Sequence, residues 1–340
     1  MKLKLIFILS ILFFQNLFAQ DSTEIKIMEL SRQGLHEMSL DDFEKAKETF
    51  AKIIEIDSTS PNGYLFLATV YHNLMADFRS LKFMNEFYAN IDKAILMAQK
   101  RIDNSKDLAR SYQYLGASYG FKGLRDASLN NFLSAFSNGL NGLNALEDAL
   151  EINSEIYDSY YGIGVYHYWR AKKAGLFKYL IFFGDSREQG IEEIKLTRDK
   201  GELCGAVSAE ALIRIYQAEK DYKNFFKIVD EVLLKYPKDI YARWYLAETY
   251  IILGNWEKAL ETYKEVEKLI YKNGKDYYGV EAEIEIWYYF ALCHKNLGNP
   301  KLAKEFAEKV VAIPKIKYDK RIFQKDFVSL SKEILLGLKM

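Results

Sequence analysis

The chain has 340 residues, 47 basic and 47 acidic side chains, two cysteines and four prolines. A balanced charge argues against the basic stripe that nucleic-acid binding demands, so no nucleic-acid partner is expected. So few helix breakers point away from strands and tight turns and toward helices.

The first residues read as a targeting segment. Lys2 and Lys4 precede an apolar run over 5–14, and Ala19 offers a small residue for cleavage before Gln20. Charge, apolar core and small residue in that order describe a secretory signal peptide over 1–19, with the mature protein exported to the periplasm or secreted. An uncleaved helix is the alternative, although the run falls short of the roughly 20 residues that span a bilayer. No cysteine lies near the cleavage point, which argues against a lipid anchor.

From there one spacing recurs. Gly34, Ala46, Phe50 and Ile53 set it first, and Leu67, Ala68 and Tyr71 begin a second copy. Leu115, Gly116 and Tyr119 lead to Phe132 and Ala135; Gly162, Ile163 and Tyr166 begin the next. Leu212, Ile213 and Tyr216 lead to Phe225, Val229, Val232 and Pro237. Leu246, Ala247 and Tyr250 lead through Gly254 and Asn255 to Ala259, Tyr263 and Val266. Phe290, Ala291 and His294 lead through Gly298 to Ala303, Ala307, Val310 and Pro314. Small residues let two helices approach, and the larger ones fill the space between them. The tail over 319–338 carries Ile322, Phe323, Phe327, Leu330, Ile334 and Leu338 at helical intervals, which predicts a capping helix.

These residues resemble the tetratricopeptide repeat family, a helix–turn–helix of about 34 residues with small and aromatic residues at fixed offsets. The resemblance implies an all-α solenoid over 20–340, of about seven stacked hairpins with a C-terminal capping helix, whose first helices line a concave groove. Regular repeats fall at 27–60, 206–239, 240–273 and 284–316. Copies between 61 and 205 are spaced too widely, which predicts longer helices or an inserted segment there.

The irregular centre holds most of the unusual features. Gly116, Gly120 and Gly123 follow no strand and precede no Gly-Lys-Ser/Thr, so they form no nucleotide loop; their spacing suits a close helix crossing. The 157–164 run is rich in tyrosine and glycine, and 175–184 is almost wholly apolar. The apolar run either packs over its own hairpin or forms an exposed patch for a partner or a membrane surface, without spanning it. Gly184, Asp185, Arg187 and Gly190 are similar to a Gly-Asp-x-Arg-x-x-Gly segment of exported bacterial repeat proteins. Asp185 and Glu188 have capping-box spacing.

No chemistry-bearing motif stands out. His36, His72, His167 and His294 lack metal-ligand spacing, Cys204 and Cys293 are too far apart in sequence for a paired site, and no nucleophile elbow is present. No cofactor, metal or catalytic residue is expected. Side chains one and three positions off the core-facing residues give the candidate groove: Tyr157, Tyr160, His167, Glu210, Arg214, Gln217, Tyr241, Trp244, Glu248 and Tyr288. Aromatics with interleaved polar groups suit protein or peptide recognition, and Trp244 is the expected anchor, pointing into the groove beside Tyr160 or Arg214. The competing reading of each aromatic is packing between hairpins. The sequence predicts an exported binding scaffold without catalysis. The alternatives are a membrane-peripheral protein docking through 175–184 and a subunit of an envelope enzyme complex.

Overall fold

A computed structural model of the chain describes residues 22–174, 185–272, 277–323 and 325–338. The segment 1–19 expected to be a signal peptide and the apolar run 175–184 therefore lie outside the described residues. Among the described residues all regular structure is helical.

Among the described residues seven antiparallel hairpins follow one another. They are α1 (22–39) with α2 (Phe43–Ile56), α3 (Pro61–Asp77) with α4 (Met84–Asp103), and α5 (Leu108–Ser128) with α6 (Phe132–Ile152). Then come α7 (Ser159–Ala174) with α8 (Arg187–Lys200), α9 (Gly205–Glu219) with α10 (Tyr222–Lys235), α11 (Ile240–Ile252) with α12 (Trp256–Lys272), and α13 (Val280–Asn296) with α14 (Pro300–Ala312). A last helix, α15 (Phe327–Gly337), packs against α13 and α14.

Local chemistry sets the helix ends. Asp221, Asp239 and Asp326 cap α10, α11 and α15 by accepting from the backbone N–H three residues on. Pro61 and Pro300 open α3 and α14, where a missing N–H costs nothing. Gly254 and Gly298 turn out of α11 and α13 at positive φ, +71° and +74°. The wide spacing in the centre has a direct cause: α4 is 20 residues long and α5 and α6 are 21 each.

Three local expectations change. The capping box at Asp185 and Glu188 does not form. Ser186 precedes α8 as its N-cap without a side-chain bond, and the Asp185 carboxylate accepts from the Arg187 backbone N–H and guanidinium instead. The capping helix starts at Phe327, not 319: residues 315–317 and 320–322 form short 3₁₀ turns, and Asp319 is held by Arg321. Of the three spaced glycines, Gly116 and Gly123 face the α6 backbone. A Cβ on Gly116 would lie 2.8 Å from the Gly142 carbonyl oxygen, whereas one on Gly120 would meet nothing within 4 Å.

The array curls back on itself. Its largest contiguous core joins Ile27, Phe50, Phe66, Phe78 and Tyr114 to Trp244, Tyr263, Tyr289, Phe327 and Ile334. The middle hairpins have a core of their own, around Tyr168, Ile194, Leu212, Phe225 and Val229. Burial of apolar surface, at about 25 cal/mol per Å², therefore ties the first hairpins to the last as well as to their neighbours. The turn between α3 and α4 is the element that enters the C-terminal hairpins. Phe78 is buried and packs against Tyr277, ring centres 5.4 Å apart, and Arg79, at φ +48°, pairs with Glu285 at 3.0 Å. On another edge Arg32 of α1 and Arg110 of α5 both hold Glu202, in the α8–α9 loop.

Candidate partner-binding face

The first helices of the hairpins supply the inner face, and the structure divides the ten expected residues into two groups. Glu210 and Arg214 on α9 and Tyr241 on α11 share one part of it, each half-buried. Both Glu210 and Arg214 act electrostatically on Tyr241 and on Tyr161 of α7. Glu210 and Arg214 are one turn apart on one helix, yet they form no ion pair with each other among the described residues. The Arg214 guanidinium sits 4.3 Å from the Trp169 ring, and Tyr241 packs 4.8 Å from Tyr245. Glu248 lies one turn beyond, where burial raises its carboxyl, Glu285 adds to that and Arg79 opposes it.

The others are engaged elsewhere. Trp244 is 1 % exposed: its indole Nε1 donates to the Asp77 carbonyl at 2.9 Å, and Arg79 lies 4.3 Å over its ring. The protein's own α3–α4 turn occupies the place expected for a partner, so the anchor role of Trp244 is discarded. Tyr288 packs 5.0 Å from Phe327 beneath α15 and faces no open groove. His167 pairs through Nδ1 with Glu193 at 2.8 Å, within its own hairpin. Gln217 donates to the Tyr245 carbonyl and the Thr249 hydroxyl, stitching α9 to α11. Tyr157 carries Lys200 5.0 Å over its ring at the far end of the α7–α8 hairpin. Tyr160 is half-buried beside Tyr161.

Several residues of this face escaped the sequence reading. Tyr161 and Tyr245 each follow a chosen residue, Tyr160 and Trp244. One position rotates a helical side chain by about 100°, so a register one residue off selects the wrong face. Asp41, Asp77 and Asp239 had no signal at all, because the curl of the array brings them there.

Those three carboxylates and Glu210 act electrostatically on one another. Asp41 belongs to the α1–α2 turn, Asp77 ends α3, Asp239 caps α11 and Glu210 is on α9. Burial pushes all four carboxyls up, and neighbouring carboxylates push Asp41, Asp77 and Glu210 further. Asp41 reaches about 8 and Asp239 about 6; Asp77 and Glu210 rise well above the ordinary range. Arg79 pairs with Glu285 and Arg243 with Glu265 at 3.0 Å, and Lys238 and Arg243 oppose the rise at Asp41.

The tyrosine- and glycine-rich run has a structural task. Asp158 is buried and accepts from the backbone N–H groups of Glu202, Leu203 and Cys204 at 2.8–3.2 Å, fixing the α8–α9 loop. Asp185 and Arg187 do pair, and Arg187 also reaches Glu219 at 3.1 Å, an arrangement that ties α8 to α9. A separate cleft of about 290 Å³ lies between α1, α3 and α5, but its arginines are already matched: Arg32 and Arg110 by Glu202, Arg101 by Glu24. No group of three His, Cys, Asp or Glu side chains among the described residues has metal-holding geometry. Both cysteines are free thiols.

Among the described residues, seven hairpins packed side by side with a terminal cap define an α-solenoid. Residues 34–60 and 284–315 match the tetratricopeptide repeat profile, so the first and last hairpins carry this repeat. No curated protein matches the sequence. Among solved structures it is similar to the C-terminal part of a TPR repeat-containing protein from Cytophaga hutchinsonii, at 16 % identity over 86 % of this chain and 98 % of that one, with a TM-score of 0.42. A tetratricopeptide repeat protein from Parabacteroides merdae is 12 % identical over 90 % and 99 %, with a TM-score of 0.41. A human IFIT1 dimer with m7Gppp-AAAA is 15 % identical over 79 % and 67 %, with a TM-score of 0.43.

Proposed function

We propose that this protein is a non-catalytic scaffold that holds a protein or peptide partner on its inner face, and that it does so after export. One observation carries the reading. Tyr161, Arg214, Tyr241 and Tyr245, from three consecutive hairpins, stay half-exposed on one face, with Glu210 among them, although Tyr168 and Trp244 on two of the same helices are buried. Tyrosine and arginine at such a site supply contact area and directed hydrogen bonds together. The test is capture of partners from envelope extract by the wild type, by Tyr241→Ala/Tyr245→Ala and by a distant surface variant, Lys304→Ala. Loss confined to the inner-face variant, at unchanged helical content, supports the reading; equal capture by all three refutes it. Export is supported by the charged, apolar and small-residue order of 1–19 and is checked by N-terminal sequencing of the periplasmic fraction, which should begin near Gln20.

A second reading, docking on a lipid surface, gains one observation. On α6 Phe132, Leu133, Phe136 and Leu140 are exposed, Leu133 by 90 %, and they share a helix face. The apolar stretch 175–184 directly follows α7, the helix packed on α6. Co-sedimentation with liposomes, lost in Phe132→Ser/Phe136→Ser, would favour this reading.

A further inference from the structure

We infer that Arg214, on the inner face, is a recognition site for the carboxylate of an acidic side chain, aspartate or glutamate, of the protein or peptide partner. This rests on the scaffold reading and names the chemistry that the scaffold selects.

Eight other arginines among the described residues pair with a carboxylate of the protein. Arg214 does not. It is half-buried on α9, and its guanidinium makes no hydrogen bond and no ion pair with the described residues. Its position is nevertheless fixed, because the guanidinium lies 4.3 Å from the centre of the Trp169 ring on the preceding hairpin. Attraction to an aromatic face leaves the N–H fork of a guanidinium to other acceptors. Gln217, one turn on, donates to the Tyr245 carbonyl at 3.3 Å and the Thr249 hydroxyl at 3.0 Å, which seats α11 against this part of α9. The electrostatic neighbours of Arg214 are tyrosines, Tyr245, Tyr241, Tyr161 and Tyr168. A half-desolvated cation with free donors is costly until an anion meets it.

The same molecule contains the completed form of this arrangement. Arg79 lies 4.3 Å over Trp244, and its Nε donates to Glu285 at 3.0 Å. There a side-chain carboxylate closes the set of indole and guanidinium. At Arg214 the indole and the guanidinium stand at the same separation without the carboxylate. A partner's acidic side chain supplies it, and its two oxygens match the guanidinium fork. Glu210, one turn before Arg214, does not take that part. It forms no ion pair with Arg214, and burial holds its carboxyl well above the ordinary range, toward the neutral form. A second arginine is also without a carboxylate. Arg125 of α5 is 6 % exposed, its Nε has no acceptor, and its Nη2 donates to the His72 Nδ1 and carbonyl oxygen, both at 3.2 Å. Burial keeps the His72 imidazole neutral, and Arg125 and Arg214 both oppose its protonation. Neither arginine is neutralised from among the described residues.

The experiment is selection from a random peptide library with the purified full-length protein, in the wild type and in Arg214→Gln. The peptides are displayed through their C-termini, so side chains are the only carboxylates on offer. Selected wild-type peptides should be enriched several-fold in aspartate and glutamate, and Arg214→Gln should lose that enrichment. One selected peptide then goes into a double-mutant cycle. Replacing its acidic residue by the matching amide, or Arg214 by glutamine, should each weaken binding about tenfold or more, and the two changes together little further. Arg214→Gln should melt near the wild-type temperature, since no hydrogen bond or ion pair within the described residues is lost. Arg214→Lys decides the matter if Arg214→Gln folds poorly. It keeps the charge without the fork, so it should keep the acidic enrichment and bind the chosen peptide several-fold more weakly. Selected peptides that are neutral or basic, or whose binding is untouched by the Arg214 variants, overturn the inference and leave the scaffold reading standing. If the library yields no peptide, the partner captured in the inner-face test above takes its place, and capture unchanged by Arg214→Gln overturns the inference. If no partner is captured either, both fall.

Discussion

The indole nitrogen of Trp244 donates to the backbone carbonyl of Asp77 at 2.9 Å, across 167 residues of chain. This bond, with Arg79 stacked on the same ring, closes the repeat array. Trp244→Phe keeps most of the ring but leaves a buried carbonyl without its donor, and should cost about 1–3 kcal/mol. Trp244→Ala should cost about 3–5 kcal/mol. Thermal or denaturant unfolding measures both. Hydrogen exchange should speed up at the end of α3 as well as in α11, and acceleration in α11 alone would show that the closure contributes nothing.

Ala259 and Ala247 are fully buried at the crossing of α11 and α12. Ala259→Leu forces extra volume into that crossing and should destabilise the protein by about 1–3 kcal/mol. An unchanged melt would mean that the two helices are not packed in this register.

Gly164 and Gly190 mark the closest approach of α7 and α8. A Cβ on Gly164 would lie 2.6 Å from the Gly190 carbonyl oxygen, and backbone cannot step aside as a side chain does. Gly164→Ala should therefore separate the helices and lower stability by about 1–3 kcal/mol, the usual range for overpacking. The melting temperature reports it, and a stabilised variant would contradict the crossing.

Asp158→Asn keeps the shape of the side chain but turns an amide or a weaker acceptor toward three backbone donors. The loss should be about 1–3 kcal/mol. Exchange of the amides of Glu202, Leu203 and Cys204 should rise more than that of α9, since the clamp acts on the loop first.

The carboxylate cluster sets a pH dependence. Burial raises Asp41 to about 8 and Asp239 to about 6; Lys238 and Arg243 oppose the rise of Asp41 without cancelling it, and Arg79 does the same at Asp77. A carboxyl whose pKa rises on folding holds its proton more tightly in the native state. Its contribution is then complete below the unfolded value near 4 and shrinks as pH climbs toward the folded value. The melting temperature should fall between pH 5 and about 8. Asp41→Asn should flatten that fall, and asparagine tolerates the positive φ of +60° at this turn. A variant as pH-dependent as the wild type would show that Asp41 is not the source.

The repeat core was legible because packing imposes a period. Gly34, Ala46, Phe50, Ala247, Ala259 and Tyr263 are small or aromatic where two helices must meet, and all lie in the interior. The groove was harder to read, because a helix face is defined to within one residue. Trp244 fills the core while its neighbour Tyr245 stays half-exposed. The closure left no trace in the sequence at all. Trp244 with Asp77 and Tyr277 with Glu44 join residues 167 and 233 apart, and no local period records such a meeting.

The curl also fixes the length of the array. An open solenoid depends on nearest neighbours alone, so a duplicated or deleted hairpin changes its length and little else. Here one more hairpin before α11 would carry Trp244 past Asp77 by at least one helix spacing, about 8–10 Å. The turn that fills the C-terminal hairpins would then miss its seat, and Arg79 would lose both its ring and its carboxylate. The number of hairpins between α3 and α11 is therefore a closed quantity. The chain can vary its turns and its outer surface, but no hairpin can be inserted between the second and the sixth without unmaking the contact that joins them.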